Sequence, residues 1–258
     1  MNLQASLVKK TMLRFFSRPG KEESSEVFRN LKTDMHSHLI PGIDDGSPDL
    51  NTSLHLIRGM VKLGYTKLIT TPHIIWEIYK NSRDGILQKL ELLQKAVQME
   101  GIPVEIQAAA EYFLDEHVAD LLKHNEPLLT IGGKMVLTEF SLAYKPHGVK
   151  EILFEMQMQG YQPIIAHPER YIYLQQNKEF YDELKDAGCL FQANILSLTG
   201  GYGKSVLELS QYLLKKNYYE ILGTDLHHSR HLEALQSQAV AHLMQKLSDT
   251  GMFRNPEL

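Results

Sequence analysis

Between residues 31 and 247, short runs of apolar and β-branched residues alternate with longer stretches in which apolar residues recur at three- and four-residue steps. The short runs predict strands at 31–36, 67–71, 103–109, 135–140, 162–166, 189–193 and 220–224. Helical periodicity fills the intervals, at 49–64, 82–100, 114–124, 147–160, 176–187, 203–216 and 232–247. Within 82–100, Ile86, Leu87, Leu90, Leu93 and Val97 mark one face, and Lys89, Glu91 and Lys95 the other. Gly101 stops that helix and Pro103 opens the next strand. Seven β-α units without internal repeats predict an α/β fold, a parallel sheet covered by helices. Such a sheet is either open and doubly wound or closed into a barrel. Barrels gather functional groups at the C-terminal ends of their strands. The polar clusters here fall at those ends, which favours the barrel.

Residues 31–258 therefore read as one domain, and residues 1–30 stand apart. Lys9, Lys10, Arg14, Arg18 and Lys21 are interleaved there with Leu13, Phe15 and Phe16, and no acid precedes Glu22. The expectation is a flexible basic leader, with peripheral contact to an anionic membrane as the lesser alternative. The remaining composition is that of an ordinary globular protein, 43% hydrophobic and 22% charged with a net charge of −4. That balance carries no basic footprint for nucleic acid. No apolar run approaches the ~20 residues that span a bilayer, and no secretory signal is visible. The single cysteine, Cys189, excludes an internal disulfide, sits in an apolar stretch suited to buried packing, and fits a reducing cytoplasm, where the basic leader would allow a place near the inner face of the membrane.

The chemistry is carried by the strand ends. The first reads Asp34-Met35-His36-Ser37-His38, and residues two apart on a strand point the same way, so His36 and His38 converge. A carboxylate-rich turn with Asp44 and Asp45 follows. Later strands end in His73, Glu111, Glu139, His167 and the pair Asp225 and His227. Six of seven strand ends thus supply His, Asp or Glu. Buried together, such groups repel and desolvate one another unless a cation neutralises them. His36, His38, His73, His167, His227, Asp45, Glu111, Glu139 and Asp225 make nine donors, too many for one ion and enough for two or three. No thiolate is among them, which favours an exchangeable hydrolytic centre over a closed structural zinc. Arg170 and Arg230 lie beside the cluster in sequence, and the planar guanidinium matches phosphate oxygens bidentately. His55, His117, His124, His147 and His242 fall in helical stretches and read as surface or packing residues, while His228 and His231 miss the strand-face spacing. The run Gly200-Gly201-Tyr202-Gly203-Lys204-Ser205 lacks the spacer of a phosphate-binding loop and reads as a turn into a helix.

Asp34 to His38, the segment Pro41 to Gly46, Thr71-Pro72-His73, His167-Pro168-Glu169-Arg170 and Thr224 to His227 together resemble the bacterial capsule-type tyrosine phosphatases of the polymerase-and-histidinol-phosphatase (PHP) superfamily. The resemblance spans residues 32–247 with the motifs in family order. It implies a distorted seven-stranded β/α barrel with a trinuclear centre, usually of manganese, with iron, zinc or cobalt compatible with the same donors. By resemblance, His36, His38, Glu111 and Asp225 hold one ion, and Glu111 bridges to a second held by Glu139 and His167. Asp45, His73 and His227 hold the third. Arg170 and Arg230 match phosphate-binding positions. The implied substrate is the phosphotyrosine-bearing tail of a tyrosine autokinase that controls exopolysaccharide export. The expected reaction is direct hydrolysis by a metal-bridging hydroxide, with Asp45 and His227 as nearby candidates for a general acid. The alternatives are a small-molecule phosphomonoesterase of histidinol-phosphate type and a metal-containing regulatory module without turnover.

Overall fold

In a computed structural model, residues 28–145, 147–248 and 251–258 are described. Among them the chain alternates nine short strands with eight α-helices. Strands β1 (Thr33–Asp34), β2 (Lys67–Thr70) and β4 (Glu105–Ala108) form one sheet in that order. Strands β3 (His73–Ile74), β5 (Glu111–Phe113), β6 (Met135–Glu139), β7 (Gln162–Ala166), β8 (Leu190–Asn194) and β9 (Tyr219–Gly223) form a second. Every ladder within them is parallel. The helices are α1 (Leu50–Lys62), α2 (Arg83–Met99), α3 (Glu116–Lys123), α4 (Val149–Met158), α5 (Glu179–Asp186), α6 (Lys204–Lys215), α7 (Ser229–Leu235) and α8 (Gln238–Ser248). The fold is α/β with parallel sheets, as the alternation predicts.

Three expected elements differ in form. The strand at 67–71 is the first half of a bent pair, interrupted at Thr71-Pro72 before β3. Pro72 has no N–H for a ladder, and its ring restrains Thr71. The strand at 103–109 likewise breaks at Ala109-Ala110 before β5. The two bends lie side by side, with Ala109 N–H on the Thr70 carbonyl at 2.9 Å and Glu111 N–H on that of Pro72 at 3.1 Å. The helix expected at 232–247 is two, α7 and α8, and the Ser237 hydroxyl accepts the Val240 N–H at 3.4 Å to start the second.

Both faces of most strands are buried, as parallel sheets favour, while β4 leaves Glu105 and Gln107 exposed. Leu68, Val136, Ile165 and Leu222 join the large outer core under the helices. Their neighbours Ile69, Leu137, Ile164 and Ile221 join a smaller inner core with Met35, Ala109 and Ala166. The first and last strand ends meet: Asp225 N–H donates to the His36 carbonyl at 2.8 Å and His38 N–H to that of Leu226 at 2.9 Å, around a parallel bridge between Ser37 and Leu226. The core begins before residue 31, because Phe28 is fully buried and stacks on Tyr65 at 5.0 Å. The rest of the expected leader lies outside the described residues. Among the described residues, no helix is long and apolar enough to cross a membrane.

Candidate metal centre

The period-two pleat after β1 turns Asp34, His36 and His38 to one side, and all three are fully buried. The bends after β2 and β4 re-aim His73 and Glu111 toward them. Glu139, His167 and Asp225 arrive from the ends of β6, β7 and β9. His167 and Asp225 adopt positive φ, 32° and 52°, a conformation that costs side chains on the order of 1 kcal/mol or more and concentrates at functional sites.

Three donor groups result, each with ligand atoms within 4.8 Å of one another: His36, His38, Glu111 and Asp225; His38, Asp45, His73 and His227; and His73, Glu111 and Glu139. In the first, His36 Nε2 lies 3.1 Å from Glu111 Oε2 and 3.3 Å from Asp225 Oδ1. In the second, Asp45 Oδ1 is 3.5 Å from Nε2 of both His73 and His227. In the third, His73 Nδ1 is 2.9 Å from Glu139 Oε1. His167 stands beside the third group, its Nε2 at 3.0 Å from Glu111 Oε1 and 4.0 Å from Glu139 Oε2. The structure thus gathers all nine expected donors, but it groups His73 with Glu111 and Glu139 where the resemblance places His167.

Opposite charges hold the cluster. Burial opposes ionisation throughout, yet Glu111 and Asp225 push the His36 imidazole up to about 9, and Asp44, Asp225 and Glu111 hold His38 well above its ordinary range. Conversely, burial is outweighed by His36 and His73 at Glu111, and by His36 and His227 at Asp225, so both carboxyls lie well below theirs. This mutual compensation is incomplete. His73 Nδ1 and Glu139 Oε1 are buried 2.9 Å apart without the geometry of a hydrogen bond, and His167 Nδ1 is buried with no hydrogen-bond partner among the described residues. A buried imidazole nitrogen and a carboxylate oxygen that face each other without a hydrogen bond, with no thiolate among the donors, fit a divalent cation.

Arg170 Nη1 donates to Asp225 Oδ2 at 2.6 Å, which brings a guanidinium to the edge of the cluster. Arg230 is exposed at the start of α7 and has no hydrogen bond or ion pair among the described residues. The period-two spacing that carries Asp225 and His227 ends before it. Four further polar residues support the donors. Asp44 Oδ2 lies 2.8 Å from His38 Nδ1, and Gln192 Oε1 2.8 Å from His36 Nδ1. Asn194 Nδ2 donates to Asp225 Oδ2 at 3.2 Å, and Asp34 accepts from the Thr224 N–H and hydroxyl, both at 3.0 Å. The signal for Gln192 and Asn194 was their period-two placement in an otherwise apolar strand. His55, His117, His124, His147 and His242 join none of the donor groups, and His117 stacks instead on Trp76 at 3.9 Å. Burial pushes the Cys189 thiol up to about 11, so it is no nucleophile at neutral pH.

A parallel α/β fold whose strand ends converge imidazoles, carboxylates and an arginine has the architecture of a metal-dependent hydrolase. The chain belongs to the CpsB/CapC family, described as capsular polysaccharide synthesis, which it matches over residues 32–255. It is 29% identical over 194 residues to the tyrosine-protein phosphatase YwqE of Bacillus subtilis, covering 75% of this chain and 76% of that one. To the tyrosine-protein phosphatase CpsB of Streptococcus pneumoniae it is 26% identical over 200 residues, covering 75% and 82%. A crystal structure from work on YwqE and CpsB, described as unique metal-dependent tyrosine phosphatases, superposes with a TM-score of 0.72 at 26% identity over 86% of this chain and 94% of that one. The phosphotriesterase homology protein of Escherichia coli shares the fold, with a TM-score of 0.53 at 15% identity over 92% of this chain and 98% of that one.

Proposed function

We propose that this protein is a metal-dependent protein-tyrosine phosphatase that acts, in the cytoplasm beside the membrane, on the phosphorylated tail of a bacterial tyrosine kinase controlling exopolysaccharide synthesis. The observation that carries this reading is the contiguity of three donor groups, sharing His38, His73 and Glu111, with the Arg170 guanidinium held at their edge. Membership of the CpsB/CapC family and relatives named tyrosine-protein phosphatases support the substrate chemistry. The bridge between Ser37 and Leu226 supports a closed barrel of seven strands, with β2–β3 and β4–β5 each counted as one bent strand.

The groups would hold two or three ions, manganese in keeping with the resemblance. His36, His38, Glu111 and Asp225 would hold the first, Glu111 with Glu139 and His167 the second, and Asp45, His73 and His227 the third. Bound ions supply an activated water and neutralise phosphoryl charge. Arg170 offers its remaining N–H donors to the equatorial phosphoryl oxygens, and Arg230 reaches in for a second contact. The hydrogen bond from His227 holds the Asp45 carboxyl down to about 2, so it is ionised at neutral pH and suits a metal donor rather than a proton donor. A departing phenolate, of pKa about 10, needs little protonation, which relieves both Asp45 and His227 of a general-acid role.

Metal-stripped protein refilled with manganese is expected to hydrolyse a phosphotyrosyl peptide. His36→Ala should abolish turnover, and Arg170→Ala should lower kcat/KM by about 10²-fold through loss of a preorganised donor. Hydrolysis of histidinol phosphate in place of the peptide would overturn the substrate assignment. A fully metallated protein without any phosphoester turnover would overturn the enzyme.

A further inference from the structure

We infer that Tyr202 is a positioning residue whose ring, together with Asp225, fixes the Arg170 guanidinium for phosphate; the inference rests on the phosphatase reading above. The Asp225 carboxylate is divided between two tasks. Its Oδ1 faces His36 and His38 at 3.3 and 3.4 Å, while its Oδ2 takes Arg170 Nη1 at 2.6 Å and Asn194 Nδ2 at 3.2 Å. One carboxylate oxygen alone leaves a guanidinium free to swing about a single hydrogen bond. The second restraint is aromatic: the Arg170 Cζ sits 4.7 Å from the centroid of the Tyr202 ring. Clamped by a carboxylate at one nitrogen and a ring beneath its Cζ, the guanidinium keeps its other N–H groups without a protein partner among the described residues. Those are the donors a phosphoryl group would meet.

The shelf is itself fixed. Asn194 Nδ2, which reaches Asp225, also donates to the Tyr202 hydroxyl at 3.4 Å, so one amide ties ring and carboxylate together. The turn at 200–203 carries the ring. A Cβ on Gly201 would lie 3.1 Å from the Leu196 carbonyl oxygen, and Gly203, at φ 91°, opens α6 from a left-handed conformation that only glycine adopts freely. The glycine-rich run, which lacks the spacer of a phosphate-binding loop, therefore serves phosphate indirectly, through the aromatic residue within it. Burial pushes the Tyr202 hydroxyl up to about 12, so the group is a neutral phenol and the face of the ring is what Arg170 uses.

The experiment compares Tyr202→Leu and Tyr202→Phe in the wild-type and Arg170→Ala backgrounds of the manganese-loaded full chain. It measures inorganic phosphate affinity by calorimetry, kcat/KM on a phosphotyrosyl peptide, and metal content. Tyr202→Leu should weaken phosphate binding and lower kcat/KM by about 10-fold with metal content unchanged, the size of a partly desolvated cation–π contact. Tyr202→Phe should restore both to within about 3-fold, since it keeps the ring. In the Arg170→Ala background, Tyr202→Leu should add nothing. The inference is overturned by wild-type phosphate affinity in Tyr202→Leu, by an equal further loss in the Arg170→Ala background, or by a Phe variant as impaired as the Leu variant. A wild-type protein that binds phosphate but leaves phosphotyrosine intact would sink the phosphatase reading alone, because the affinity arm still decides the role of Tyr202.

Discussion

The Asp44 carboxylate, wholly covered, lies 2.8 Å from His38 Nδ1 and accepts the backbone N–H of His73 at 3.1 Å. It thereby fixes one ring nitrogen of His38 and turns Nε2 toward Glu111 and Asp225, the usual way a buried carboxylate orients an imidazole ligand. Asp45, its neighbour, has a side chain 54% exposed and meets His73 and His227 from the outer side. Replacing Asp44 by Asn keeps the shape and removes the charge that favours a basic Nε2. Manganese affinity is expected to fall about 10- to 100-fold, which a calorimetric titration would register. An unchanged affinity would show that Asp44 only shapes its turn. The strand-face rule reads His36, His38, Asp225 and His227 directly from their spacing, because a pleat has a fixed period. Asp44 and Asp45 lie in a turn, which has none, so spacing alone does not say which of the two faces inward or that its partner is His38.

At the scale of elements, the decisive features are the two bends that separate β2 from β3 and β4 from β5. Hydrophobic runs predict the first half of each strand, since Leu68, Ile69 and Ile106 announce burial. The second halves begin with His73 and Glu111, and these carry the ligands into the other sheet. Pro72 is a visible signal for one bend; Ala109-Ala110 offers none, and that break follows from pairing beside the first. Close strand approach leaves a clearer trace. A Cβ on Gly223, within β9, would lie 2.7 Å from both Gln192 Nε2 and His36 Cβ. Gly223→Ala must therefore push Gln192 away from the His36 ring or displace the ring itself. Overpacking of this kind costs about 1–3 kcal/mol. The urea midpoint should drop without a change in slope, and manganese affinity should fall with it. Wild-type stability with wild-type metal binding would mean the strands are free to part, contrary to the packing described.

At the scale of the whole molecule, the alternation of strands and helices is legible because each element announces itself locally, whereas the junction between the first and last strands is not. At the C-terminal strand ends that junction is the backbone pairing around Ser37 and Leu226. Four residues earlier on each strand, at Thr33 and Leu222, the link is a side chain. Asn255 is fully buried; its Nδ2 donates to the carbonyls of Thr33 at 3.0 Å and Leu222 at 2.8 Å, and its Oδ1 accepts the Leu222 N–H at 2.9 Å. No periodicity marks the segment around Asn255, which is why the sequence pattern passes over it. One amide thus satisfies three backbone groups that β1 and β9, without a ladder between them, cannot satisfy for each other. Asn255→Ala would leave all three buried. Each orphaned group costs about 1–3 kcal/mol, and water entering the vacated space recovers part of it, so a net loss of about 2–4 kcal/mol is expected in urea unfolding. Asn255→Asp tests the same point from the other side, for it keeps the acceptor and loses both donors, and should fall short of wild type by a comparable amount. Because Asn255 bonds only the backbone of Thr33 and Leu222, three residues before His36 and Asp225, and touches no donor side chain, metal affinity in the folded variants should stay near wild type. A loss below about 0.5 kcal/mol in both variants would show that backbone pairing at the strand ends joins β1 to β9 unaided.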